Sequence, residues 1–183
     1  MTRLHALVPA LLLAVLPARG AAQSYPTDRG SFIVGGSASL TTSKASIALL
    51  GSDEELRSTT LAVAPSAQYF VAPGLAVGGR VQSYTTWVDG ESSGTFGVGP
   101  QLSYFFGRGD RRLYPYLSAG VSYDQEVGDS DNHGSGVNAA GGLVFMLGRQ
   151  VGLDTSLGFN HVSAGTTTLQ TFGLALGITA FAF

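Results

Sequence analysis

The side chains able to support covalent chemistry are few. One nucleophile constellation stands out, His161-Val-Ser163, in which an imidazole two residues from a hydroxyl is placed to activate it for acyl transfer. On an extended chain residues i and i+2 share a face, so His161 and Ser163 project together. An imidazole working this way also needs a third group to orient it, and no Asp or Glu occurs after Asp154. Arg80 and Asp154 are the charged residues that fall well inside apolar-patterned segments. Taken out of water, such charges are expected to pair with each other, because an isolated buried charge is costly.

Two other strings invite a binding reading. Asp129-Ser-Asp131-Asn-His133-Gly134 begins like a calcium loop, but its fifth position is His and Ala140 stands where a bidentate Glu belongs, so a hydrated, mobile loop is expected. Gly94-Thr-Phe-Gly-Val-Gly99 lies within a strand-patterned segment rather than between a strand and a helix, which gives no support for a dinucleotide site. With no cysteine in the chain, disulfides, thiolate metal sites and a Cys nucleophile are excluded. No metal and no cofactor is expected.

The elements that position these residues are strands. After Gly30 the apolar residues recur with period two over segments of about ten residues, the signature of a strand with one greasy face. In 151–161, Val151, Leu153, Thr155, Leu157 and Phe159 share one face and Gly152, Asp154, Ser156, Gly158 and Asn160 the other. In 113–124, Leu113, Pro115, Leu117, Ala119, Val121 and Tyr123 oppose Tyr114, Tyr116, Ser118, Gly120 and Ser122. The same pattern predicts strands near 31–42, 59–71, 75–87, 95–106, 113–124, 137–147, 151–161 and 167–183.

Composition says which solvents these faces meet. The 183 residues include 26 glycines, 44% hydrophobic residues and only 12% charged ones, against about 25% charged in a soluble domain. Ten Lys and Arg against twelve Asp and Glu offer no basic surface for phosphates, so nucleic acid is not an expected partner. Met1-Thr-Arg3, a short apolar run to Pro17, and the small residues Gly20 and Ala22 read as a secretory signal peptide, residues 1–22, cleaved after Ala22. Residues 23–30 form a short segment ahead of the strands, and 31–183 the strand domain.

Connections alternate between short and long. Ala72 to Gly74, Gly107 to Arg112 and Gly148 to Gln150 are short; Ser43 to Arg57, Val88 to Gly94 and Gln125 to Gly136 are longer and acidic, with Val162 to Thr166 short for its side. Large aromatics fall outward in two belts: Phe32, Tyr69, Tyr104, Phe106 and Phe145 near the turns, and Trp87, Phe96, Tyr123 and Phe159 near the loops. Short turns on one side, longer loops on the other and aromatic girdles at both interfaces describe an all-β, eight-stranded, antiparallel up-and-down transmembrane barrel. Pro65, Pro100 and Pro115 are expected to mark bulges or strand ends.

On these features, from Gly30 to Phe183, and on Phe32-Ile-Val-Gly-Gly-Ser-Ala-Ser, the Tyr-Phe turn entries and the terminal Phe, the chain resembles the small outer-membrane β-barrel proteins, which include adhesin-like and porin-like members. The resemblance implies the outer membrane of a Gram-negative-type bacterium, reached by secretion, with lipids including lipopolysaccharide around the barrel. The ending Gly177-Ile-Thr-Ala-Phe181-Ala-Phe183 resembles the family's assembly signal, which implies recognition by the barrel-insertion machinery. If Phe181 and Phe183 face lipid, Phe172, Leu174, Leu176 and Ile178 point inward, which calls for a bulge in the last strand or for apolar packing of the lumen.

An eight-stranded barrel is wide enough only for side chains, and the inward set, with Arg80, Gln82, Tyr84, Gln101, Phe105, Tyr114, Tyr116, Asn138 and Asp154, is bulky enough to plug it. Arg80, Asp154, Tyr84, Tyr114 and Tyr116 are the candidates for a lumen network. A non-enzymatic role follows, in envelope structure or in contacts made by the acidic loops with an external partner. The alternative is an esterase, since His161-Val-Ser163 is similar to the His-x-Ser pair of outer-membrane lipid A 3-O-deacylases, although Ala164 stands where that family commonly has Asn.

Overall fold

The computed structural model describes residues 25–49, 52–88, 91–127, 133–164 and 167–183; the expected signal peptide and Asp129 to Asp131 of the acidic loop lie outside them. Eight strands, β1 (Phe32–Leu49), β2 (Ser52–Ala72), β3 (Leu75–Val88), β4 (Glu91–Phe105), β5 (Leu113–Val127), β6 (His133–Met146), β7 (Val151–Ala164) and β8 (Thr167–Ala182), pair in sequence order and close into an antiparallel barrel. The architecture is the one the alternation predicts, and the strands are longer. Segments expected as loops, most of Ser43 to Arg57 above all, continue the β1–β2 ladder out to Leu49 opposite Ser52. At 14 to 21 residues, the strands exceed the roughly 9 to 11 that cross a bilayer, so the hairpins project well beyond it.

Among the side chains the structure describes, alternation holds in all eight strands. Val63, Val77, Val98, Leu117, Leu143, Leu153 and Leu174 are exposed on the outside, while Phe70, Ala76, Phe105, Tyr114, Tyr116 and Val144 are buried inside. Both aromatic belts lie outward as expected, with Phe32 against Tyr69 at 5.7 Å on the turn side. Phe172, 71% exposed, joins the loop-side belt. Two inward glycines of β4 hold close contacts: a Cβ on Gly99 would collide with the Val121 carbonyl, and one on Gly97 with the Asp124 carboxylate.

Two irregularities resolve differently from expectation. β8 has no bulge, because Phe181 faces the lumen, 2% exposed, while Phe172, Leu174, Leu176 and Ile178 face outward. The clash arose from assigning the terminal aromatics to lipid; with Phe181 inside, Thr179, Gly177, Ala175 and Gly173 follow it on the lumen face in ordinary alternation. Around Pro65 the β2–β3 ladder lapses between Val63↔Ser83 and Ser66↔Arg80, and around Pro100 the β4–β5 ladder lapses between Val98↔Tyr123 and Gln101↔Gly120. Register is the same on both sides of each lapse. These prolines therefore cost ladder hydrogen bonds without inserting a residue.

Candidate functional site

The lumen is the place where polar and titratable side chains converge, and it has three levels. At the turn end lies an apolar floor. Phe105 stacks on Tyr116 at 5.2 Å and packs against Phe70 at 5.4 Å and edge-on against Phe181 at 6.3 Å. Tyr114 sits 6.3 Å from Phe181, donates its hydroxyl to the Gly109 carbonyl and accepts the Arg111 amide at 3.2 Å. That pair of bonds ties the floor to the β4–β5 turn, where Gly107 and Gly109 adopt the positive φ that glycine tolerates.

The floor is covered from below by the segment ahead of β1. Thr27 and Ser31 are buried; the Gly74 amide donates to the Thr27 carbonyl at 2.8 Å, the Gly30 amide to Phe70 at 2.9 Å, and the Thr27 hydroxyl to Gly107 at 3.3 Å. The Phe70 amide in turn donates to the Ser31 carbonyl at 2.9 Å. The sequence carries no pattern for this cap, because most of its bonds are made by backbone groups that every residue carries.

At the loop end a polar belt crosses the lumen. Gln82 donates to Ser122 at 3.1 Å and to Asp124 at 2.8 Å, Ser122 donates to the other Asp124 oxygen at 2.7 Å, Tyr84 donates to Gln82 at 3.3 Å, and Asn160 donates to Tyr84 at 2.9 Å. Asp124, which the sequence places at a loop edge, is therefore an interior residue, 2% exposed. β5 continues past it to Val127, so the strand's inward face reaches one position higher than its apolar pattern.

Between floor and belt lies a cavity of about 140 Å³. Its wall on β8, β1 and β2 is built of small residues such as Gly173, Ala175, Ser37, Ser39, Ala64 and Ser66, and the rest of its lining, from β3 round to β7, includes Arg80, Gln101, Tyr116, Asn138 and Asp154. Tyr116 donates to Asp154, 3.0 Å from each carboxylate oxygen. The Arg80 Nε, Gln68 Oε1, Gln101 Oε1 and Asn160 Oδ1 are buried without a hydrogen-bond partner.

The expected Arg80–Asp154 pair does not form. Among the described residues no ion pair joins them; Asp154 is taken by Tyr116, and Arg80 projects from the other side. Alternation correctly puts both side chains inside, but β3 and β7 stand four strands apart in a ring of eight, on opposite walls. Of the network candidates, Tyr116 and Asp154 meet in the middle level, Tyr84 belongs to the upper belt, and Tyr114 belongs to the floor.

His161 and Ser163 sit on the outer face at the loop end of β7. His161 is opposite Val137 and Gln170, and Ser163 opposite Ser135 and Thr168. No hydrogen bond joins His161 to Ser163, and no carboxylate stands at these paired positions to orient the imidazole. Among the described residues no group of His and acidic side chains is arranged to hold a metal.

Among the described residues no helix is long and apolar enough to cross a membrane, and strands do the crossing in a barrel. No protein-family model and no curated protein matches the sequence. Among solved structures, the chain is similar to Neisserial surface protein A (NspA), with 17% identity, a TM-score of 0.58, and coverage of 84% of this chain and 97% of that one. It is also similar to the outer membrane protein OprG from Pseudomonas aeruginosa, with 14% identity, a TM-score of 0.56, and coverage of 88% and 99%. By its closed ring of eight antiparallel strands, its outward aromatic belts and these likenesses, the chain has the fold of the eight-stranded outer-membrane β-barrels.

Proposed function

We propose that this protein is an integral outer-membrane barrel of a diderm bacterium, non-enzymatic and closed to through-flow, which serves the envelope as a stable wall element and presents long acidic hairpins to external partners. The supporting observation is the floor. Phe70, Phe105, Tyr114, Tyr116 and Phe181 fill the turn end, and Thr27 is hydrogen-bonded beneath them. An ion crossing there would have to shed its water into an aromatic cluster, at a cost that bars passage. Around the barrel, exposed Leu and Val between two aromatic belts match hydrocarbon between two interfaces. Lipids including lipopolysaccharide are its surroundings, and the insertion machinery is the partner that delivers it there.

Planar-bilayer recording of the refolded protein tests this reading. A silent bilayer is the expected result, and a large stable conductance would overturn the closed lumen. Fractionation tests residence: the protein is expected in outer-membrane extracts as a heat-modifiable band, and recovery as a soluble periplasmic protein would refute it.

A further inference from the structure

The barrel wall has a slot. β1 and β8 pair from Phe32↔Ala182 only as far as Ala38↔Leu176, although β1 stays paired with β2 out to Leu49↔Ser52 and β8 with β7 to Ala164↔Thr167. Beyond Leu176 the two strands part. Two glycines on the same face of β8 gauge the separation: a Cβ on Gly177 would strike the Gly36 carbonyl of β1, whereas one on Gly173 would meet nothing within 4 Å. The cavity reaches this opening, for its lining includes Ser39 on β1, Gly173 and Ala175 on β8, and Leu174, whose side chain lies on the outer face.

The slot lies at hydrocarbon depth. Trp87 of the loop-side belt is opposite Thr59, which is opposite Thr42, so the belt crosses β1 just beyond Ser39, Leu40 and Thr41. On β8 the belt residue Phe172 stands beside Gly173. Backbone N–H and C=O groups left unpaired toward lipid tails are costly, so the slot calls for a polar occupant. Outside it, Leu40, Leu174 and Leu176 are exposed and apolar; inside it, the Arg80 Nε has no partner, and the Gln68 carbonyl, on a side chain only 5% exposed, has none either. Polar within and apolar without, at one opening, is the requirement for an amphiphile.

Charge and size narrow its class. Tyr116 already engages Asp154, and Gln82 and Ser122 engage Asp124, which among the described residues of the lumen leaves Arg80 as the cation without an anion. A cavity of about 140 Å³ equals the share of roughly four or five waters. That suits a hydrated carboxylate, whose waters can donate to the Gln68 and Gln101 carbonyls. We propose that the slot between β1 and β8 binds a single-chain, long-chain carboxylate from the loop-side leaflet, its head toward Arg80 and its alkyl chain leaving over Leu174 and Leu176. The inference rests on residence in a membrane and is independent of whether the floor conducts.

The test uses the full barrel refolded into phosphatidylcholine vesicles, with spin-labelled stearate as probe and electron paramagnetic resonance as readout. A saturable, motionally restricted component displaced by unlabelled palmitate is expected. Gly173→Leu, which fills the slot where no atom obstructs it, and Arg80→Gln should each weaken binding by about tenfold or more, the scale of a lost charge-assisted contact. A spin-labelled long-chain alcohol should bind more weakly by a similar factor, and acetate should not compete. Absence of a saturable component, undiminished binding by Gly173→Leu, or equal binding of the alcohol would overturn the proposal. Competition by acetate as effective as by palmitate would overturn it in favour of a small-anion cavity. Heat-modifiable migration checks that each variant folds, and Gly173→Leu carries the test if Arg80→Gln does not. A conducting barrel in planar bilayers would refute the closed floor and leave this result standing.

Discussion

Tyr116 and Asp154 meet inside the barrel, the phenol hydroxyl 3.0 Å from each carboxylate oxygen. The bond joins β5 to β7 across the intervening β6 and leaves the carboxylate with no cation. Removing the donor alone strands a half-buried acceptor. Tyr116→Phe is therefore expected to cost about 1 to 3 kcal/mol, read as a lower urea midpoint of the refolded barrel. The double variant Tyr116→Phe with Asp154→Ala should recover much of that loss, and a double variant as unstable as the sum of the singles would refute the pairing.

Phe181 gives the second prediction. Because it packs in the floor against Phe105 and Tyr114, Phe181→Ala should open a void and cost about 3 to 5 kcal/mol. Phe172→Ala, on the outer face of the same strand, should cost less. The temperature at which the folded gel band disappears separates the two, and equal losses would return Phe181 to the lipid face.

Glycine supplies a third, with the substitution held constant. Gly99→Ala forces a methyl into the Val121 carbonyl, whereas Gly158→Ala meets only ordinary contacts at 3.9 Å. The first should lose about 1 to 3 kcal/mol and the second should stay within about 0.5 kcal/mol of the parent, both by urea titration.

Lipid A mass spectra supply the fourth. His161 and Ser163 lack a shared hydrogen bond and a paired acid, so spectra from cells carrying the parent protein, Ser163→Ala, or neither should be identical. An acyl chain lost only with the parent would establish the esterase.

The sequence made faces legible and left partners hidden. In β7 each residue from Val151 to Asn160 lies on the side its alternation predicts, since a strand sends every second side chain the same way. Which inward residues then meet depends on how the ring closes. Arg80 and Asp154 were correctly placed inside and wrongly paired, because local pattern carries no information about strands four apart. Phe181 misled for a related reason: a terminal aromatic suits either face, and only the run from Gly173 to Thr179 decides it. The slot above Leu176 has no signature in residue type, for it consists of ladder hydrogen bonds that two strands do not make. Asp124 shows the same limit, since it becomes interior only through the continuation of β5 past its apolar stretch.

The segment under the floor has a bearing on assembly order. Its partners, Phe70, Gly74 and Gly107, belong to the second strand and to two different turns, which come within reach of one another only when the neighbouring hairpins have joined. Thr27 can dock only after that, so its ordering is a late timestamp on folding. A probe attached at Tyr25 would report the joining of β2 to the β4–β5 turn rather than the start of folding.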